Sequence, residues 1–284
     1  MNAIAALLRP RDTDKVLANS SPARARVHNL PALLKARSNA TGVAMYTAKH
    51  VGNVSKKASK VTQSSGQTIA KKVARLYGLR LLKQDSQEAV IQAILSELNL
   101  TGLSVDVTDA ITPDLIDAFN AAGIVGIGQV GMDATPDMTN HLDEMARTYA
   151  KEHAAELVTN LTSTTKEALR GEITRAVESG MSTDELSRSI RASFAFSESR
   201  ADVIARTELA SAHVSGNVQG WRETGVVIGK RSILGDLHDK DDVCDECAAA
   251  GTVGIDDDFV SGYAQPPYHP NCICDVVPVL KGEE

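Results

Sequence analysis

Apolar residues recur along most of this chain at the spacing of three and four that one face of an α-helix requires, and only near the C-terminus does that rhythm give way. Val51, Val54, Ala58 and Val61, then Ile69, Val73, Leu76 and Tyr77, mark one face of a proline-free segment from about 42 to 83. Lys, Ser and Thr fill the rest of it, so these helices need a partner to be stable. Residues 1 to about 40 are interrupted by Pro10, Pro22 and Pro31 and read as an irregular arm. Asp85 followed by Glu88 resembles a capping box, with Ile91, Ile94, Leu95 and Leu98 as the stripe behind it. Leu103 to Val107 alternates apolar and polar, as a short strand would. Thr112-Pro113-Asp114 predicts a helix start: a capping hydroxyl, a proline in the first turn, and an acid at the positive end of the dipole. Gly123 to Met132 holds four glycines among apolar residues and predicts either a buried, closely approached segment or a loop. It has neither GxxxxGKS nor GxxxxGKT, which weighs against a phosphate loop.

From Asp137 to about Gly225 the periodicity predicts helices over 138–161, 164–178, from a Thr183-Asp184 cap to about 194, and from 197 to 223, with stops at Ser179-Gly180 and Gly225. Beyond this the texture changes. Val226-Val227-Ile228 reads as a strand, followed by acidic loops, turns and all four cysteines. The predicted fold class is therefore mainly α with a small α+β C-terminal module. It divides into a basic N-terminal arm with helices (1–83), a helical body (84–225) and a strand- and loop-rich Cys/His unit (226–284).

Composition adds a constraint on the core. Aromatic residues are 4% of the 284, so Ala, Val, Leu and Ile must fill the interior, which favours closely packed helices. No apolar run approaches the roughly 18 residues of a membrane span. Met1 to Leu8 is too short an apolar core for a signal peptide, which predicts a reducing, cytoplasm-like compartment. The net charge of −6 conceals an asymmetry: residues 1–83 hold 16 basic and 2 acidic residues (+14), and the remainder 14 basic and 34 acidic (−20). Lys56, Lys57, Lys60, Lys71, Lys72 and Arg75 are the candidate contacts of that arm. An anionic partner is expected for them: double-stranded DNA, an acidic protein face, or the chain's own acidic body.

The candidate chemistry lies in the last sixty residues. Cys244 and Cys247 form CxxC, and 21 residues separate Cys247 from the His269 of PPYHPNCIC, which also holds Cys272 and Cys274. Two thiols three apart reach one ion from a tight turn, and a second knuckle with His or Cys donors completes a tetrahedron. Soft thiolates select zinc over magnesium or calcium. Five donors compete for four places: Cys244 with Cys247, joined by His269 with Cys272, Cys272 with Cys274, or His269 with Cys274. A reducing compartment weighs against disulfides. A structural site is expected. A catalytic zinc keeps an open position and needs an acid or base, for which Asp236, His238, Asp239, Asp241, Asp242 and Asp256 to Asp258 are the candidates. The zinc-deaminase order, H-x-E before P-C-x-x-C, is not matched.

The stretch RADVIARTE at 200–208, then Trp221 to Gly225, Asp239 to Cys247, PPYHPNCIC at 266–274 and a closing Val276-Val277-Pro278 resembles the phage Mu F-like family of minor head proteins. The resemblance covers about residues 165–280. It implies a virion protein inside the head, with host cytoplasm as the site of assembly, a portal or other head protein as partner, and a role in head morphogenesis or genome delivery; it suggests no reaction. The residues of the helix agree with a structural role. Arg206 and Glu208 stand about 200° apart and cannot form one catalytic pair. Arg206, His213 and Asn217 share a polar stripe, from which Arg206 is expected to bind a carboxylate or carbonyls of the C-terminal unit. The rival is a zinc-dependent hydrolase or nuclease acting on DNA.

Overall fold

A computed structural model describes residues 30–81, 86–235, 238, 242–260 and 262–282, with the backbone alone for 30–49 and 81. The order is α1 (Leu30–Leu81), α2 (Gln87–Ser96), α3 (Leu100–Gln129), α4 (Pro136–Ser179), α5 (Thr183–Ala192), a 3-10 turn (Phe194–Phe196), α6 (Glu198–Thr224), β1 (Val227–Ile233), α7 (Val243–Ala249), β2 (Thr252–Gly254) and β3 (Asp275–Leu280). The strands form one antiparallel sheet in the order β2-β1-β3. A mainly helical chain with a small sheet near its C-terminus is thus what the periodicity predicted.

The differences lie where two periods compete. The stripe of 51 to 77 lies on one helix, which starts at Leu30, so the predicted irregular arm ends there; its residues 1–29 lie outside the described residues, as does Asp85. The cap of α2 is Ser86, which accepts from Ala89. Leu103 to Val107 is helix, not strand. Its alternation coincides with the i, i+4 row Leu103, Val107, Ile111 and Leu115, all buried on one face. Thr112-Pro113 sits within the same helix instead of starting it. An interior proline costs about 3 kcal/mol, but Ile111, Leu115, Ala118 and Phe119 are buried on either side of it, and burial of such side chains is worth about 1.5–3 kcal/mol each. The break expected between 161 and 164 is absent from α4. Thr164 and Thr165 donate back to the Asn160 and Leu161 carbonyls, and the buried row Leu157, Leu161, Thr165, Leu169, Ile173 runs straight through. The cap of α5 is Ser182, which forms a capping box with Glu185; Thr183 is its first residue.

The central helix is α3, packed on α6, α4 and α1. Among the described residues it is the helix long and apolar enough to cross a membrane. It carries Asp106, Asp109, Asp114 and Asp117 and lies within the bundle, so it reads as a core helix. Its glycine-rich end, foreseen as a close approach or a loop, is helical to Gln129 and is a close approach. A Cβ on Gly126 would stand 2.5 Å from the Asn217 carbonyl oxygen of α6. From the other side, a Cβ on Gly216 or Gly220 would meet the Phe119 or Gly123 carbonyl oxygen far inside contact distance.

Helix α6 belongs to two cores. Ala201, Ile204, Ala205, Leu209 and Ala212 join the main helical core. Val214, Val218 and Trp221 join Val227, Phe259, Tyr268, Val276 and the four cysteines in the C-terminal one. Trp221 donates to Gln129 of α3 at 2.6 Å, and Gly225, at φ 67°, ends the helix in the left-handed conformation. Gly216→Ala is expected to lower stability by about 1–3 kcal/mol through overpacking. Gly171→Ala, in α4 with nothing within 4 Å, is expected to raise it by about 0.5–1 kcal/mol. Urea midpoints of the two variants check both signs.

Candidate metal centre

Two local structures bring the donors together. Asp242 caps α7 by accepting the Cys244 N–H at 2.8 Å, and Asp245 completes the capping box. That fixes Cys244 and Cys247 in the first turns of α7, both fully buried. The second structure is the turn after Tyr268, in which Cys272 N–H donates to the His269 carbonyl at 3.1 Å and Asn271 takes φ 60°. Asn271 is among the few non-glycine residues that enter that region without large strain. Its N–H donates to Thr207 Oγ1 of α6 at 3.1 Å, so the RTE segment holds the HPNC turn directly.

The result is a cluster around Cys244. Its sulfur is 3.3 Å from His269 Nε2 and 3.7 Å from Cys272 Sγ. Cys244, Cys272 and Cys274 form one set with donor atoms within 4.8 Å of each other, and Asp242, Cys244 and His269 form another. Neither set includes Cys247, the second half of CxxC; it is hydrogen-bonded to the Tyr268 phenol, which itself donates to Ser232. Burial pushes the Cys244 thiol up to about 12. The Cys274 thiol hydrogen bond pulls Cys272 down to about 5 and raises Cys274 in return. The sulfurs thus share their protons, and a soft cation could take the place of those protons.

Of the acids proposed for a catalytic alternative, Asp242 stands at the cluster, 3.3 Å from His269 Nε2. Asp236, Asp239 and Asp241 lie outside the described residues. His238 is tied to Asp245 and the Gly235 carbonyl, each at 3.0 Å, and Asp245 holds its pKa raised. Asp256 accepts from Arg222 of α6 at 2.8 Å, and Asp257 and Asp258 are exposed.

On α6 the polar residues part company, as their angles predicted. Glu208 pairs with His153 of α4, on which Tyr149 stacks at 5.1 Å; nothing in sequence links residues 55 apart, and this partner was not foreseen. Burial pushes His213 down to about 4, and its Nδ1 is 3.5 Å from Asn217 Nδ2. Arg206 Nε is buried without a hydrogen-bond partner. The ties from α6 to the C-terminal unit run through Thr207 and through Ser215, which accepts from Gln265 at 2.8 Å. Of the basic candidates, all exposed on α1, Lys57 pairs with Asp114 at 2.6 Å and Lys72 donates to the Glu97 carbonyl. Lys56, Lys60, Lys71 and Arg75 have no partner among the described residues.

These features define a helix-mounted unit gathered around thiols. Residues 167–277 match the family described as Phage Mu protein F like protein. Over that segment the chain is similar to the phage Mu F-like family. No curated protein and no solved structure matches the chain.

The His153–Glu208 pair makes stability depend on pH. Burial works to lower His153, but the hydrogen bond and charge of Glu208, with Glu156, outweigh it and hold the imidazole above its ordinary value. A raised histidine stabilises the fold while protonated. The contribution is full below about pH 6.5 and is lost as pH rises through the folded value. The stability gap between wild type and His153→Gln should be wide near pH 5.5 and narrow towards pH 9, measured as urea midpoints across that range.

Proposed function

We propose that this chain is a structural minor head protein of a tailed phage, acting in head morphogenesis near the portal and sitting inside the head of the virion after assembly in the host cytoplasm. The observation that carries the reading is the junction of α6 with the cysteine unit. The two stretches quoted for the family resemblance, RTE and HPNC, are joined by the Thr207–Asn271 hydrogen bond. The described residues at that junction hold structure together.

In this reading zinc is the ion of the cluster. Three thiolates and an imidazole suit it, and in such closed sites the metal supplies folding energy to the surrounding loops. The C-terminal unit, 226–284, is then a stapled head on a helical body, 84–225.

The basic segment, 1–83, contacts the packaged genome. Helix α1 has no acidic residue. Successive residues turn about 100°, which places Lys56, Lys60, Lys71 and Arg75 within a sector about 100° wide, opposite the buried row that includes Ala58, Thr62 and Val73. They span about 28 Å at about 1.5 Å per residue. Gln63 and Gln67 lie between them, and the one apolar side chain in the sector is Ala74. A face with so little to bury is poor for a protein partner and suited to a phosphodiester backbone.

Purified virions should contain the chain in a small number of copies, counted by quantitative mass spectrometry; its complete absence would leave an assembly factor or remove the phage reading. The full chain should bind a duplex of about 30 base pairs at low salt, with log K falling against log salt at a slope of roughly −3.6 for four phosphate contacts. Replacing Lys56, Lys60, Lys71 and Arg75 by Gln should abolish that slope. Binding that does not weaken with salt would turn the arm toward a protein partner.

A further inference from the structure

Five donors surround the proposed metal, a tetrahedral ion takes four, and the folded positions discriminate among them. The geometry points to Cys244, Cys272, Cys274 and His269 Nε2 as the ligands, with Cys247 outside the coordination sphere as a buried packing thiol. The assignment rests on the metal reading above and differs from the one that CxxC spacing suggests, in which Cys244 and Cys247 act as a pair.

Three independent features support it. Two sulfurs each about 2.3 Å from a tetrahedral zinc stand about 3.8 Å apart; Cys244 and Cys272 are 3.7 Å apart, and Cys274 completes a set within 4.8 Å. His269 Nδ1 is 2.9 Å from the Pro270 carbonyl. With the proton on Nδ1 for that contact, Nε2, 3.3 Å from Cys244 Sγ, would present its lone pair to a cation. Metal-bound histidines are held in just this way by a backbone carbonyl on the other ring nitrogen. Finally, His269 shares a donor set with Cys244 and Asp242, whereas Cys247 lies in neither set. Cys247 is hydrogen-bonded to the Tyr268 phenol, and both side chains belong to the apolar core that Val214, Val218 and Trp221 of α6 complete.

Asp242 takes a supporting part. One of its oxygens accepts the Cys244 N–H at 2.8 Å and the other lies 3.3 Å from His269 Nε2. It fixes the backbone of one ligand and stands beside the ring of another, so it is a positioning residue of the outer sphere.

The test is cobalt(II) substitution of the reduced, full-length chain. Thiolate-to-cobalt charge-transfer absorption grows with the number of Co–S bonds, and the visible bands report tetrahedral geometry. Cys247→Ala should bind one cobalt per chain with the wild-type spectrum. Cys272→Ala and Cys274→Ala should each lose about a third of the charge-transfer intensity or bind at least 10-fold more weakly. His269→Ala should keep the three-thiolate intensity with altered visible bands. Should Cys247→Ala fail to fold, the near-isosteric Cys247→Ser carries the question: loss of charge-transfer intensity or weakened cobalt binding in that variant overturns the assignment and restores the CxxC pair. A wild-type chain that takes up neither cobalt nor zinc removes the metal reading itself, a separate outcome from the wrong ligand set.

Discussion

The close crossing of α3 and α6 is the constraint on which the rest of the architecture depends. Gly216 and Gly220 bring the α6 backbone against the Phe119 and Gly123 carbonyls, and Gly126 does the same from the opposite side. Each helical glycine costs up to about 1 kcal/mol relative to alanine, so a row of them at one crossing implies a return in packing. The return is position. With its axis pressed against the central helix, α6 can extend past the main core and present Val214, Val218 and Trp221 to the strands and cysteines that follow.

Seen from that helix, the motif residues have separate tasks. Thr207 receives the Asn271 N–H and so meets the cysteine unit, while Glu208, turned about 100° away, meets His153 on α4. One stretch of α6 therefore binds the helical body on one face and the His269–Cys272 turn on another. An Arg-Thr-Glu run with an active site's residue types thereby acts as a structural bracket. The part-buried His153–Glu208 pair also constrains register, since it fixes one face of α6 against α4.

Much of this was legible in the residues alone. The helical periods of α1, α4 and α6, the stops at Gly180 and Gly225, the strand after Val226 and the donors around Cys244 all follow from spacing. The strand expected at Leu103–Val107 failed because five residues cannot separate a period of 2 from one of 3.6. The row that decides, Leu103 to Leu115, runs through Thr112-Pro113, which reads locally as a boundary. The partner of Glu208 and the divergence of Cys247 from Cys244 were illegible for another reason. Both depend on which faces the tertiary fold brings together, and a CxxC motif looks alike whether its second sulfur meets an ion or a tyrosine.

If a metal joins the donors around Cys244, as proposed, the cluster organises the C-terminal unit on the far half of α6 and leaves the remaining helices self-supporting. Hydrogen exchange on the full-length chain, before and after withdrawal of metal by a chelator under reducing conditions, tests it most directly. Protection should fall together in β1, α7, β3 and α6 from Val214 onward, while α1, α4 and α5 keep theirs. Uniform loss of protection along the whole chain, or no change around Cys244 at all, would contradict it.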